Sequence, residues 1–322
     1  MARYLGQKFT YLVLTIAAVL VTNFVLFHLM PGDPVTHIAR GQHLDAAAIQ
    51  RLRAFYGLDR PMTDQFLTYI GHLARGDLGY SYTYQTSVGP IVFKALGNTV
   101  ILVTVSTLLV ISLGVLIGVF AAARRGSRPD GLFVIGSLVF WSLPTFWVGM
   151  LLIFLFAVTL DWLPIAGMFT ADALYPTVFS RIADLARHLV LPTVAMVLVD
   201  VAQFVLITRS SLLATLSEDF MTTARAKGLH PRRVLWRHGV RNALLPVVTA
   251  TTLYASATVG GTIQVETVFS WPGMGQLIYL SVVRRDYPVM EACFLIFAVV
   301  VVLANFASDV VYRLLDPRVR LT

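Results

Sequence analysis

The sequence predicts an all-α membrane protein with six transmembrane helices, and three observations carry that reading. Of its 322 residues, 57% are hydrophobic and only 13% charged, against about 45–50% and about 25% in a soluble domain. Six apolar runs, 9–30, 98–123, 131–160, 188–208, 242–263 and 289–312, each reach the roughly 20 residues that a spanning helix needs. The charge, net +8, is unevenly distributed. Segments 1–8, 124–130, 209–241 and 313–322 hold fifteen basic and four acidic residues, whereas 31–97, 161–187 and 264–288 hold ten of each. The basic side faces the cytoplasm by the positive-inside rule. Both termini therefore fall inside and residues 31–97 outside, as an even number of spans requires.

The chain divides into a short inner N-terminus with the first span (1–30), an extracytoplasmic segment (31–97) and a five-span core (98–322). Arg3 and Lys8 precede an apolar run of 22 residues, Phe9 to Met30, with no small-residue cleavage site after it. That is longer than a signal-peptide core, so it is read as a retained span. "MPGDP" (Met30 to Pro34) makes a sharp exit. Asp45 can cap a helix with an apolar stripe of Ile49, Leu52, Phe55 and Tyr56, stopped by Gly57. A second stripe gathers Phe66, Tyr69, Ile70 and Leu73. Too small for a large core of its own, this segment is expected to pack on the membrane mouth or on a partner.

In the core, Asn98 and Thr99 open the second span, where Gly114 and Gly118 form a small-xxx-small pair that permits close helix contact. Pro144 sits near the middle of the third span, where it removes a backbone hydrogen bond and kinks the helix; such a kink can line a pathway, act as a pivot or be merely structural. Trp162 fits the outer aromatic belt. The fourth span carries Asp200, whose carboxylate is expected to face protein or water, as a pathway residue or as one half of a structural pair. After the fifth span, Glu266, Phe269, Trp271, Pro272 and Gly273 form a turn-rich aromatic element. It can shape an outer gate or anchor at the interface. Asp309, in the last span, is expected to pair with a basic inner-loop residue.

The most informative stretch runs from Ser217 to Pro246, within and just beyond the inner loop 211–241. Arg225, Lys227, Arg232, Arg233, Arg237 and Arg241 supply six positive charges against Glu218 and Asp219. Asp219 can cap a short helix, Gly228 can end it and Pro231 can open a second. The result is a compact knob suited to docking. A plain basic loop held by anionic headgroups would not dictate those Gly, Pro and Asn placements.

"ARAKGL" (Ala224, Arg225, Ala226, Lys227, Gly228, Leu229), "RH" (Arg237, His238) and "RNALLP" (Arg241 through Asn242 to Pro246) resemble the cytoplasmic EAA loop of ABC-importer permeases in its oligopeptide/dipeptide/nickel variant. The general form of that loop has an acid six residues before the Gly; Thr222 stands there in this chain. "YGLDRP", "GDLGYS", "VETVFSWPGMGQL" and "RRDYP" are similar to the same permeases, in the subunit type with a long first outer loop. Asn305, Asp309, Tyr312 and "DPR" (Asp316 to Arg318) fit as well. The resemblance implies a type I importer bundle in a prokaryotic-type inner or plasma membrane. It also implies a second homologous permease, two ATPase subunits or domains that hold ATP and Mg, and an extracytoplasmic substrate-binding protein. The cargo it implies is a di- or oligopeptide, with nickel, a peptide-like metal chelate, a haem-like compound or a sugar left open.

Other classes fare worse. No G-K-[ST], H-E-x-x-H or G-x-S-x-G occurs, so no ATP-binding P-loop, cofactor, metal site or enzymatic activity is expected in this chain. His37 and His43 are weak metal candidates. The lone cysteine, Cys293, cannot form an intramolecular disulfide. Nucleic-acid binding lacks a separate basic domain. A proton-coupled secondary transporter using Asp200, Glu291 or Asp309 is the alternative; the internal repeats and paired broken helices common in such proteins are not found.

Overall fold

The computed structural model describes residues 2–29, 45–55 and 59–315. The "MPGDP" exit, His37, His43, Tyr56, Gly57 and "DPR" lie outside the described residues. So do the side chains of Ile49, Leu52, Phe55, Asp309 and Tyr312. Every regular element among the described residues is helical, apart from an isolated bridge between Tyr80 and Ser87.

The helices are α1 (Ala2–Leu29), α2 (Ala46–Phe55), α3 (Met62–Ala74), α4 (Val88–Ala123), α5 (Arg128–Trp141), α6 (Thr145–Leu152), α7 (Val178–Leu216), α8 (Asp219–Ala226), α9 (Pro231–Arg233), α10 (Arg241–Gly261), α11 (Ile263–Val268), α12 (Met274–Arg284) and α13 (Tyr287–Leu315). Two π-helical segments, Ile153–Thr159 and Val234–Val240, follow α6 and α9. Among the described residues, α1, α4, α7 and α13 are long and apolar enough to cross a membrane, and the bent pair of α5 with α6 and its π segment makes a fifth. The sixth expected run, 242–263, coincides with α10, whose side chains are described only in part.

The chain forms two compact units. One comprises Met1–Asn98 and Gly273–Leu303, the other Thr99–Pro272 and Ala304–Thr322. In the first, Val88, Val92 and Ala95 of α4 bury against Met274 and Ile278 of α12 and against Val289, Ala292 and Cys293 of α13. The expected cap of α2 is present, with Asp45 accepting from the Ala48 N–H at 2.7 Å. The second amphipathic stripe turns Phe66 and Tyr69 onto Phe24 of α1, at ring separations of 5.1 and 5.6 Å. Asp286, 1% exposed, accepts from the Ser81 hydroxyl and from the Tyr82 and Thr83 N–H groups at 3.3 and 3.0 Å. A buried carboxylate is tolerated where donors satisfy it. These bonds tie "GDLGYSY" to "RRDYP", two motifs far apart in sequence.

In the second unit, α4 and α7 cross closely. A Cβ on Gly114 would stand 2.3 Å from Phe204 Cβ, and one on Gly118 2.7 Å from Thr208 Cβ. The small-xxx-small pair is thus a packing requirement. Pro144 does more than kink the third span, because the two halves meet at 101° across residues 142–144. Proline lacks the N–H that would continue the helix and disfavours helical geometry at Leu143. Pro144 consequently becomes the N-cap of α6, and the Trp147 and Val148 N–H groups bond to its carbonyl. At the start of α5, Asp130 accepts two hydrogen bonds from Arg209 of α7, at 2.7 and 2.8 Å, and one from the Gly126 N–H.

Candidate functional site

The inner knob is built from short-range chemistry. In α8, Met221 and Ala224 fall on one face and bury against Val234, with Leu216 and Leu229 alongside. The other face leaves Arg225, Ala226 and Lys227 exposed. Gly228 ends the helix at φ +70°, a left-handed conformation that glycine adopts without strain, and its N–H bonds to the Arg225 carbonyl at 2.9 Å. A Cβ there would meet no atom within 4 Å, so the constraint is the backbone and not the space.

Two expectations for this loop are corrected. Asp219 is not the cap. Glu218 holds the N-cap position without a side-chain hydrogen bond, and Asp219 occupies the first helical turn, where its charge still complements the helix dipole. Pro231 does open the second helix, at its first position after the His230 cap, but that helix is not short. Pro231–Arg233, the π segment Val234–Val240 and α10 follow without a break, since Arg233, Val234, Val240 and Arg241 all keep helical dihedrals. The knob is therefore one short helix and a glycine turn mounted on the start of a long helix. Its register is held by the Asn242 amide donating to the His238 carbonyl at 2.7 Å, the Ser211 hydroxyl donating to the Ala243 carbonyl at 2.8 Å, and Gly239 lying against Leu212. Arg225, Arg232, Arg233, Arg237 and Arg241 remain exposed beside Phe220 and Trp236. Pro246 sits inside α10 on an exposed position.

The second group of candidate residues separates into two places. Phe269 and Trp271 are 2% and 0% exposed and belong to one core with Val148 of α6 and Leu191, Met196 and Val199 of α7. They are not interfacial anchors: both are buried in this core, and the Phe269 ring fills the space beside Gly149, where a Cβ would come within 3.0 Å of it. The Phe269 carbonyl also accepts from the Gly167 N–H at 2.8 Å. The element after the fifth span thus packs on the helix that Pro144 begins. Glu266, fully buried, accepts from the Thr99 hydroxyl at 2.7 Å. Pro272 is exposed and is the last residue of the Thr99–Pro272 segment, while Gly273 belongs to the first unit and is the N-cap of α12.

Asp200 is elsewhere. Its Oδ2 accepts from the Tyr254 hydroxyl of α10 at 2.7 Å, and Tyr254 packs edge-on against Phe204. It is half-buried and paired within the chain. Sequence reasoning missed Tyr254 and Thr99 as partners of the two acids, and the Asp130–Arg209 pair as well. For the two acids the available signal was a hydroxyl at matching depth in another apolar run.

The comparisons with known proteins decide the family. Residues 1–103 match the model described as "binding-protein-dependent transport system membrane component, N-terminal", and residues 114–321 the model described as "binding-protein-dependent transport system inner membrane component". The chain belongs to the binding-protein-dependent transport system inner membrane component family. Similar family members include a di/tripeptide transport system permease protein of Pseudomonas aeruginosa, 37% identical, and an oligopeptide transport system permease protein of Bacillus subtilis, 36% identical. A glutathione transport system permease protein of Salmonella paratyphi A is 38% identical. Each alignment covers 99% of both chains. Among solved structures, an inward-facing MetNI methionine ABC transporter aligns with TM-score 0.56 at 18% identity, covering 70% of this chain and 96% of that one; this supports the fold. The protein is an ABC-importer permease, a multi-pass inner-membrane transport component.

Proposed function

We propose that this permease forms half of a translocation pathway for di- or oligopeptides, and that the Asp219–Pro246 knob couples it to an ATPase. The observation that carries the substrate class is full-length similarity to relatives named as di/tripeptide, oligopeptide and glutathione permeases. The coupling role is supported by the knob's make-up. Five exposed arginines and two exposed aromatics stand on a scaffold held by its own core. Such a rigid projection transmits a displacement where a slack loop would absorb it. A second homologous permease, two ATPase subunits or domains that bind ATP and Mg, and a substrate-binding protein complete the machine. ATP binding and product release bias a two-state equilibrium of access. Both termini face the cytoplasm.

The test is reconstitution in proteoliposomes with the partner subunits and binding protein, measuring ATP-dependent uptake of labelled dipeptide and tripeptide. Uptake that needs the binding protein, and that excess unlabelled peptide competes away, supports the reading. Peptide-independent stimulation of the ATPase, with no peptide uptake, overturns the substrate class. Orientation is tested separately with single cysteines at Asp45 and Arg232 in a Cys293→Ser background. Labelling of the Arg232 site but not the Asp45 site by an impermeant thiol reagent in intact cells reverses it.

A further inference from the structure

Within the first unit, α1, α3, the turn after α3 and α13 enclose a cavity of about 330 Å³. That is large enough for a small ligand. Among the described residues, the charged groups in its wall are Arg60, His72, Asp77 and Glu291. Asp77 is already engaged: its Oδ2 meets His72 Nδ1 at 2.8 Å and its Oδ1 accepts from the Gly79 N–H at 2.9 Å. Those contacts, the Gly79 N–H first, hold its carboxyl below the usual carboxylate range.

Glu291 differs. Its Oε1 is buried and has no hydrogen-bond partner among the described residues. The Asn23 amide donates to the Tyr69 hydroxyl at 3.1 Å and to the Glu291 main-chain carbonyl at 3.2 Å. A buried carboxylate oxygen left without a donor costs free energy and calls for an unseen one, and Glu291 lines the cavity. Tyr69, Tyr80 and Tyr82 belong to the same wall, and aromatic rings attract cations. Arg60, an exposed residue of the lining, suits the anionic half of a zwitterion.

We propose that this cavity binds a primary ammonium group, with Glu291 as its counter-ion, at a site in the first unit separate from Asp200 and from the inner knob. Two sources carry that chemistry: the headgroup of phosphatidylethanolamine, and a free amine such as a peptide N-terminus. Hydrogen bonding to Glu291 together with contact with the tyrosine rings selects a small ammonium over a neutral alcohol of the same size.

The experiment uses the assembled transporter in nanodiscs of phosphatidylglycerol alone and, in parallel, of phosphatidylglycerol with phosphatidylethanolamine. Radiolabelled ethanolamine is the probe. In phosphatidylglycerol discs, saturable binding is expected that ethylene glycol does not compete. Glu291→Gln is expected to weaken it about tenfold or more, as loss of a charge-assisted contact does, Glu291→Asp less so, and Asp64→Asn, a charge change on α3 outside the cavity wall, not at all. Ethanolamine binding that persists in mixed discs marks a free-amine site. Binding that mixed discs abolish, with Glu291-dependent retention of phosphatidylethanolamine in native mass spectra, marks a headgroup site. If Glu291→Gln fails to assemble, the wild-type comparison of ethanolamine with ethylene glycol decides. No saturable ethanolamine binding and no phosphatidylethanolamine retention beyond that of phosphatidylglycerol overturns the proposal, as does binding that is equal in Glu291→Gln.

Discussion

Two glycine sites in the second unit show opposite reasons for the same residue. Gly228 in the inner knob has φ +70° and open space around it; Gly114 and Gly118 in α4 have ordinary helical backbone and no space at all. At Gly228 the backbone needs glycine and a neighbour does not. At Gly114 the neighbour needs it and the backbone does not. The first kind of site permits a change of local geometry without disturbing the fold, which suits a moving part. The second permits no change, which suits the frame that part pushes against.

The largest expected effect tests the frame. Gly114→Val places branched carbon where Phe204 Cβ already stands at 2.3 Å from a single Cβ. Overpacking typically costs about 1–3 kcal/mol, and here the helices themselves must separate. Loss of most assembled protein on size-exclusion chromatography is expected. Normal assembly would show that α4 and α7 are not held as the structure has them.

Next comes Asp286→Ala. It strips the partner from the Ser81 hydroxyl and the Tyr82 and Thr83 N–H groups, at about 1–3 kcal/mol for each buried group left unsatisfied. We expect a lower Tm and early proteolysis within residues 75–87, with insertion intact. Unchanged protease sensitivity there would remove the anchor role of this carboxylate.

Gly228→Val is the counterpart in the moving part. A left-handed β-branched residue costs about 1–2 kcal/mol, locally, and the vacant surroundings leave packing alone. Abundance near wild type is therefore expected, with uptake lost and ATPase stimulation by loaded binding protein abolished. Gly228→Asn, which tolerates the left-handed region, is expected to recover part of the coupling. Equal behaviour of the two variants would locate the requirement in absent side-chain volume rather than in φ.

The smallest effect is expected at Asp200. Tyr254→Phe removes one hydrogen bond to a half-buried carboxyl group, about 0.5–1.5 kcal/mol net. If the pair is structural, Tyr254→Phe and Asp200→Asn each lower Tm by a few degrees, and uptake is affected to a similar small extent. If Asp200 lines the path, Asp200→Asn alters the uptake of one peptide relative to another while Tm stays unchanged.

The amino-acid sequence alone determined the class, the positions of the apolar runs, the small-xxx-small pair and the glycine stop at 228. Each of these follows from local chemistry: hydropathy over a turn-by-turn window, a missing Cβ, a proline without its N–H. Family motifs made the inner loop legible for the same reason, since its geometry is set within a few residues. Tertiary structure alone decided what the buried and half-buried acids meet. Glu266 found Thr99, Asp200 found Tyr254, Asp286 found Ser81 and its neighbours, and Glu291 found no donor for Oε1 among the described residues. These partners lie 54 to 205 positions away, and periodicity carries no information over such distances. It likewise decided that Phe269 and Trp271 are core rather than surface, because an aromatic residue near a turn reads the same in either place. The continuous run from Pro231 into α10 also escaped the sequence: proline at a first turn announces where a helix begins, and only packing against α7 and α8 sets how far it continues.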